Sequence, residues 1–373
     1  MRKTFLYKVR INQKTEKNCL NWLELCRTLY NLGLEQRILI HKQRKQYVIS
    51  YNQIKQLPSL KAEFPEFKAV GSQVLQDVLE RLDRAFKGFF RQWKNEEKPG
   101  FPRFKGKGRY DSFTLKQAGW QLSGRYLDIK NVGRFKLYLS RPIEGTIKTI
   151  TIRRKSTGDW FVAFSCDNVP TKEFPMTNRD VGIDVGIKSF LVDSDGRIVE
   201  NPKFFRQSEK LLRRRQRKLC RRKKGSNRRN KARILVSKAH EKITNQRKDF
   251  LHKTANYYVK EFNNIYIEDL KIHNMVKNKH LSKSIADSSW GMFFKLLTEK
   301  AEGAARQVIK VPPHNTSQIC SICGEKVPKS LSVRTHDCHV CKTILDRDHN
   351  ASLNILRLGQ RLQTLTVELP AVV

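Results

Sequence analysis

The sequence predicts an α/β domain joined to a β-barrel-like domain, the first carrying a small metal-binding ribbon and the second a helical insertion. Three observations lead there. Apolar residues recur at every second position in 1–12, at helical spacing through 13–95, and at every second position again through 96–175. From 181 onward, short hydrophobic strands alternate with long amphipathic helices, as in an α/β sheet. Between 320 and 341 lie two C-x-x-C pairs, just ahead of the last helical run.

The chain has 373 residues, enough for two or three domains with cores of their own. Its 75 Lys and Arg against 35 acids leave a formal net charge of +40. A protein this basic repels itself unless it meets a polyanion, so nucleic acid is the expected partner and a basic membrane-surface protein the alternative. No apolar run approaches the ~18 residues of a membrane span, so no membrane is expected. The opening MRKTFLYKVRI is too short and too polar for a secretory signal. Of the eight cysteines, Cys19, Cys26, Cys166 and Cys220 are scattered, which indicates a reducing, cytoplasmic compartment.

In 1–12, Phe5, Tyr7, Val9 and Ile11 share one face of a strand. From Glu16 to Trp93 the spacing is helical. Leu20, Leu23, Leu25, Leu29, Leu32 and Leu34 make one run, and Val74, Leu75, Val78, Leu79, Leu82, Phe86 and Phe89 another. The stretch 57–67 reads as a loop with aromatic anchors. Arg81, Arg84, Lys87 and Arg91 can line a phosphate groove or form a solvated face. Residues 98–108, KPGFPRFKGKG, form a basic loop broken by Gly and Pro. Arg103, Lys105 and Lys107 are candidates to follow a phosphate backbone while the interleaved rings stack on bases. Strands are expected near 112–116, 125–130, 134–140, 147–154 and 160–166, with a turn at Gly158-Asp159. Residues 171–178 read as a linker.

At 181–187, VGIDVGI, the apolar residues face one side of a strand and Gly182, Asp184 and Gly186 the other. An acid between two glycines leaves room for a metal and a nucleic-acid backbone. Asp195-Gly196 turns the chain into a second strand, as an RNase H-like sheet begins. The run 206–233 holds 15 Lys and Arg against one acid, Glu209, and Gly225-Ser226 divides it into two helices. A solvated face or a localisation tract is the plain reading, but a run this dense reads better as a phosphate rail. Its candidate contacts are Arg213, Arg214, Arg215, Arg217, Arg221, Arg222, Lys223, Lys224, Arg228 and Arg229, and binding through them should be steeply salt-dependent. An amphipathic helix from 235 leads into NIYIEDL at 264–270. There Glu268 is the second candidate acid and Asp269, on the opposite face, the fallback. Residues 290–306 read as a helix, 308–311 as a strand, 351–362 as a helix and 363–373 as a frayed end.

Cys320, Cys323, Cys338 and Cys341 follow C-x2-C-x14-C-x2-C, which suits four thiolates on one tetrahedral zinc. A redox dithiol is the alternative, and two matched pairs argue against it. Four sulfur ligands close the coordination sphere, so the zinc is expected to be structural, with His336, His339 and His349 not needed as ligands. Asp346 and Asp348 follow directly, where Asp is also a common helix cap. One of them, with Asp184 and Glu268, completes the set that an RNase H-type nuclease needs. Three carboxylates hold two Mg2+ ions about 4 Å apart, one activating a water and the other stabilising the leaving 3′ oxygen. Carboxylates suit a hard cation that keeps several waters.

These segments also carry a resemblance. VGIDVGI at 181–187, YIEDL at 266–270, Ser317 with Cys320, Cys323 and Gly324, the second C-x-x-C at 338–341 and LDRDHNAS at 345–352 resemble the TnpB family. Its members are transposon-encoded, OmegaRNA-guided DNA nucleases with a RuvC domain, related to the type V CRISPR effectors. GFPRFKGKGRYDSF at 100–113, Trp290-Gly291 and Asn315-Thr316-Ser317-Gln318 fit the same family. The resemblance covers nearly the whole chain, most specifically 181–356. It implies a bilobed architecture: a wedge-type β-barrel domain (1–12 and 96–175) with an inserted helical recognition domain (13–95), and a RuvC nuclease domain (176–311 and 342–373) split by a zinc ribbon that binds target nucleic acid (312–341). It implies Asp184, Glu268 and Asp348 as the catalytic, Mg2+-binding acids. Asp348 is preferred because the second Asp of D-x-D-x-N is the ligand in related effectors, and Asp346 is the runner-up. It further implies an omegaRNA guide that pairs with one strand of double-stranded DNA, a short target-adjacent motif read as duplex, and both strands cut in turn at one site. The protein is expected to be monomeric in its RNA complex and cytoplasmic in a prokaryote, on the nucleoid when bound to DNA. Delegating sequence to base pairing accounts for so basic a chain without a base-reading helix. Ser352 stands where the family more often has Ala, a change expected to leave activity intact.

Three alternatives remain. A nuclease-inactive RNA-guided DNA binder would lack one of the acids, and all are present. A DNA transposase should add a terminal-repeat-binding domain, and no helix-turn-helix is evident. A miniature type V CRISPR effector would share the chemistry and differ in genomic neighbourhood.

Overall fold

A computed structural model describes residues 1–171, 173–330 and 332–368, with side chains through 365. The chain forms two compact units, Met1–Pro170 and Thr171–Val373.

In the first unit, β1 (Lys3–Arg10) leads into four helical segments, α1 (Gln13–Arg44), α2 (Ser50–Lys55), α3 (Leu57–Glu63) and α4 (Ser72–Lys94), with a 3-10 turn at Pro65–Ala69. Six strands follow: β2 (Ser112–Leu115), β3 (Trp120–Ser123), β4 (Tyr126–Ile129), β5 (Gly133–Leu137), β6 (Thr146–Arg154) and β7 (Trp160–Asp167). Asn12 caps α1 by accepting the Thr15 N–H at 2.7 Å. Phe5, Tyr7 and Val9 point inward from β1, as their alternation required, and β1 pairs with both β7 and β5 at the middle of the sheet. The sheet order is β2-β6-β7-β1-β5-β4-β3.

Three expectations change here. The stretch 57–67 is not a loop but α3 and the 3-10 turn. Pro58 sits in a first helical turn, where its missing N–H has no partner to lose, and Leu57 and Phe67 are buried. Strand β3 is not among the expected strands: its pairing with β4 depends on a tight turn at Gly124, φ +55°. The sheet is also a curled half-barrel, not a closed barrel: β2 and β3 are its two edges. Its apolar face is filled instead by α1 and α4, which share one core with the strands, as in the 5.3 Å contact between the Trp22 and Phe113 rings.

The second unit opens with β8 (Asp180–Val185), β9 (Ser189–Asp193) and β10 (Ile198–Glu200) as an antiparallel meander. Helices α5 (Phe204–Cys220) and α6 (Asn227–Glu261) lead to β11 (Asn264–Glu268), which lies parallel to β8. Then α7 (Ile272–Met275), α8 (Ser282–Ser288) and α9 (Trp290–Glu302) lead to β12 (Gln307–Val311), parallel to β11. Parallel neighbours need such helical crossovers. Two short strands, β13 (Thr335–Asp337) and β14 (Ile344–Asp346), pair with each other, and α10 (Arg347–Glu368) ends the described chain. Val181, Ile183, Ile265 and Ile267 pack with α6 and α9, while Tyr266 and Val311 pack against Ile355 of α10. The sheet is therefore covered on both faces. Helix α6 starts at Asn227 and not near 235, because Ser226 accepts the Arg229 N–H at 3.2 Å. Helix α10 starts four residues earlier than expected and includes 363–368, with the Tyr266 hydroxyl donating to Gln363 Oε1 at 2.5 Å. Residues 369–373 of the expected frayed end lie outside the described residues. Among the described residues, no helix is long and apolar enough to cross a membrane.

Candidate functional site

Strands β8 and β11 are adjacent at the centre of the sheet, and α10 lies across them. This brings Glu268 and Asp348 close enough to Asp184 for their charges to act on it. Burial, and then the charges of Glu268 and Asp348, hold the Asp184 carboxyl well above the ordinary carboxylate range, while Arg347 opposes the shift. Glu268 ends β11 and is buried. Burial raises its carboxyl, and the Thr316 hydroxyl, donating to Oε1 at 2.6 Å, works the other way. Asp348, also buried, meets Arg334 Nη1 and Arg347 Nε, each at 3.4 Å.

Asp269 goes elsewhere, and Asp346 lies at the edge of the group, its charge adding the last and smallest push on Asp184. Asp346 is exposed and caps α10, accepting the N–H groups of Asp348 at 2.8 Å and His349 at 3.2 Å. Asp269 is exposed and pairs with Lys310 at 3.0 Å. One expectation about the glycines is corrected. The room at Gly182 serves α10 and not a ligand: a Cβ there would run into the Ser352 carbonyl oxygen and stand 2.6 Å from Leu356 N. Gly186 does face Asp348: a Cβ there would lie 3.8 Å from Asp348 Oδ2, and 3.1 Å from the Ser189 carbonyl oxygen. Ser352 is fully buried, and its hydroxyl donates to the His349 carbonyl at 2.7 Å.

The four cysteines converge. Their sulfurs all lie within 4.8 Å of one another, with Cys320–Cys341 at 3.6 Å and Cys323–Cys338 at 3.5 Å. These separations are too long for disulfides and near the ~3.8 Å that a tetrahedral zinc imposes on its sulfurs. The cluster can therefore hold a metal such as zinc. In the first knuckle the Gly324 N–H donates to the Cys320 carbonyl at 3.0 Å, with Gly324 at φ +81°. In the second, Lys342 takes the same role at φ +59°. The Thr343 hydroxyl and amide pull the Cys341 thiol down to about 6. His336 is buried with Lys329 at its Nδ1 and stands outside the cluster. Among the described residues, no carboxylate set closes as tightly as these thiols. An all-oxygen donor set of three acids nonetheless fits a hard divalent cation.

The two centres are joined by residues whose linking role does not follow from the sequence: Asn350 and Thr316, noted there only as motif positions, and Asn354, which is not among the candidates. Asn350 Oδ1 accepts the Ser321 N–H at 2.9 Å, and its Nδ2 donates to the Ile319 carbonyl at 2.8 Å. One turn later, Asn354 Nδ2 donates to the carbonyls of Thr316 at 2.8 Å and Ile319 at 2.7 Å. The first knuckle, the Glu268 partner Thr316 and the acid-bearing helix are thus one hydrogen-bonded assembly. Two buried Asn at i and i+4 among the apolar residues of 350–358 were the available signal.

The basic candidates divide. Arg214, Arg217, Arg221, Lys223, Lys224 and Arg228 are exposed on the α5–α6 hairpin, and Arg213 pairs with Glu209 at 3.1 Å. Arg215 instead donates to the Leu235 carbonyl at 2.9 Å, and Arg229 to those of Leu219 and Arg222 at 3.0 and 2.8 Å, so these two bind the hairpin together. Arg222 is half-buried. In the first unit, Arg103 and Lys107 are exposed. Lys105 is anchored to α1, its N–H donating to Asn31 Oδ1 at 2.8 Å and its ammonium lying 5.3 Å from the Tyr30 ring.

Two family models match. The OrfB_IS605 model, described as a probable transposase, covers residues 163–279, and the Cas12f1-like TNB domain covers 290–355. A putative RNA-guided DNA endonuclease of Streptomyces pristinaespiralis is 32% identical over 89% of this chain and 83% of its own length. The putative RNA-guided DNA endonuclease InsQ of Escherichia coli (strain K12) is 30% identical over 95% and 92%. Shared fold extends further. A Cas12f1 chain solved with sgRNA and target DNA aligns with a TM-score of 0.59 at 18% identity, covering 92% of this chain and 83% of that one. CasPhi-2, solved with crRNA, aligns at 0.50 and 10% identity over 96% and 98%. The matches define one class, the transposon-related proteins of the probable-transposase model. Within it, the chain belongs to the TnpB family.

Proposed function

We propose that this protein is an RNA-guided DNA endonuclease. It binds a transposon-derived omegaRNA, recognises a short target-adjacent motif and cleaves double-stranded DNA by two-metal hydrolysis in a single RuvC-type site. The acid cluster carries this reading: burial, and then the charges of Glu268 and Asp348 from distant elements, hold the Asp184 carboxyl well above the ordinary range. The names of the relatives at 30–32% identity support it.

Asp184, Glu268 and Asp348 are the residues that would hold Mg2+, which when bound supplies Lewis-acid charge for phosphodiester hydrolysis. Thr316 keeps Glu268 oriented and favours its charged form. Arg334 and Arg347 offset the charge of Asp348. Zinc on Cys320, Cys323, Cys338 and Cys341 would brace the ribbon, and Asn350 and Asn354 pass that order to the acid-bearing helix. On this reading, 1–12 with 96–175 is the wedge-type domain, 13–95 the recognition helices, 176–311 with 342–373 the RuvC domain and 312–341 the target-binding ribbon. The exposed part of the α5–α6 hairpin is the phosphate rail. The protein acts as a monomer on its RNA, inside a prokaryotic cell.

The test is to express the protein with its flanking genomic DNA, sequence the co-purified RNA, and assay cleavage of matching duplex DNA in Mg2+. One discrete RNA with a fixed scaffold and an element-derived 3′ tail that programs the cut is the expected result. Bulk cellular RNA with no programmed cut would sink the proposal, and joined rather than cleaved DNA ends would replace it with strand transfer.

A further inference from the structure

The helical layer of the first unit holds a cavity of about 1020 Å3 between the C-terminal halves of α1 and α4 and the connecting segment 45–49. Its wall is aromatic and open to solvent: Tyr47 is 71% exposed, Trp93 68%, Phe101 48% and Phe90 39%. The Tyr47 and Phe90 rings meet edge to face at 5.9 Å, and Phe101 is seated against Phe86 at 5.6 Å and Phe89 at 5.4 Å. The rim is basic, with Lys42, Lys45 and Lys87 all exposed, Lys87 also reaching Asp83 at 3.2 Å. At the floor, Arg37 is 7% exposed. Its guanidinium lies 5.2 Å from the Phe86 ring centre, its Nε donates to Gln53 Oε1 at 2.9 Å and its Nη1 to Asp83 at 3.2 Å. Its Nη2 is buried and has no hydrogen-bond partner among the described residues.

Packing does not account for this combination. Rings that served the core would be covered, and a contiguous exposed aromatic patch marks a binding surface. A buried donor without an acceptor is costly until something supplies one. The cationic rim and the net charge of +40 disfavour a second copy of the chain and favour an anionic polymer. An unpaired nucleotide satisfies all three demands: a flat π-face for the rings, a carbonyl or ring-nitrogen acceptor for the guanidinium, and a phosphate for the lysines.

We propose that this cavity takes an unpaired base of a single-stranded nucleic-acid segment, stacked among Tyr47, Phe90 and Trp93, with an acceptor of its edge on Arg37 and its flanking phosphates on Lys42, Lys45 and Lys87. The site lies in the first unit and does not depend on whether the acids of the second cut DNA.

The experiment uses the full-length protein freed of nucleic acid and two fluorescein-labelled 12-nucleotide probes, oligothymidylate and an abasic strand with the same phosphates. Wild type should bind the thymidylate about tenfold more tightly, the effect of stacking one base. The Tyr47→Ala/Trp93→Ala variant should reduce that ratio to near one while binding the abasic strand, and its salt dependence, stay unchanged. Lys42→Ala/Lys45→Ala should weaken both probes together. Both rings are exposed, so the melting temperature should not move. Independently of any variant, photocrosslinking of a 5-iodouracil probe to wild type should mark Tyr47, Phe90 or Trp93. An unchanged base-to-abasic ratio in the ring variant, adducts confined to other aromatic residues, or a concentration-dependent dimer that the ring variant dissolves would each overturn the proposal.

Discussion

The thiol cluster and the acid pocket are two candidate metal centres joined through one helix, yet they are assembled differently. The thiols come from a single short stretch, 320–341, and their sulfurs already gather within 4.8 Å. The acids come from β8, β11 and α10; Glu268 and Asp348 are buried, Asp184 is half-buried, and desolvation and the charges of the other two raise its carboxyl. The contrast follows from charge. A thiol is neutral until it ionises, and Cys341 is the one whose ionisation Thr343 favours, so the four sulfurs can gather before a metal arrives with little mutual repulsion, and two tight knuckles suffice to place them. A carboxylate is charged at neutral pH, so three in one buried pocket repel unless the fold holds them and neighbours such as Thr316, Arg334 and Arg347 offset them.

The comparison is broken or sharpened most strongly at Asp184. Asp184→Asn should lower Mg2+-dependent cleavage by on the order of 10³-fold or more, with RNA and DNA affinity nearly unchanged. The same variant reports on the repulsion. A carboxyl raised in the folded state favours folding fully below its unfolded value near 3.8, and that contribution is lost as pH rises through its folded value. Metal-free wild type should therefore lose stability as pH climbs, and the Asn variant should escape this loss and melt higher at pH 7. Retained cleavage with a lower melting temperature would make Asp184 a structural residue.

Next in size is the thiol centre. Cys320→Ser should strip zinc from the protein, as read by elemental mass spectrometry, and destabilise the second unit by several kcal/mol, a fraction of the ~10 kcal/mol typical of such zinc sites. Unchanged zinc content would refute the cluster as a metal site. A smaller change tests the support of Glu268. Thr316→Val removes the hydroxyl that lowers the Glu268 pKa, so the acid limb of the cleavage profile should move to higher pH, with about a tenfold loss at its foot. Thr316→Ser should restore the profile, and a rate loss without the pH shift would argue against this role.

The hairpin supplies a finer comparison. Neutralising Arg214, Arg217 and Arg221 should flatten the salt dependence of nucleic-acid affinity by up to ~0.7–0.9 per charge. Arg215→Ala or Arg229→Ala should instead cost about 1 kcal/mol of stability each, read as a lower melting temperature, because each ties backbone carbonyls across the hairpin. Equal effects on the salt slope would erase the distinction. Smallest of all, Ser352→Ala should cost no more than about 1 kcal/mol and leave cleavage rates intact.

What the sequence determined by itself was whatever local spacing controls. The alternation of Phe5, Tyr7 and Val9 settles which face of β1 is buried, the two C-x-x-C pairs settle the thiol cluster, and the switches of period mark most elements. Such features depend on neighbours a few residues away, and their periodicity is written in the chain. Tertiary structure alone decided the rest. Asp346 and Asp348 look alike in sequence, and only the direction of α10 makes one a cap and turns the other inward. Gly182 reads as room for a ligand until α10 fills it. Arg215 and Arg229 are indistinguishable from their exposed neighbours until α5 meets α6. The half-barrel stays open because α1 and α4 cover its apolar face, and no single strand shows that. In each case the outcome rests on contacts between segments far apart in the chain, which exist only once the sheet has brought them together.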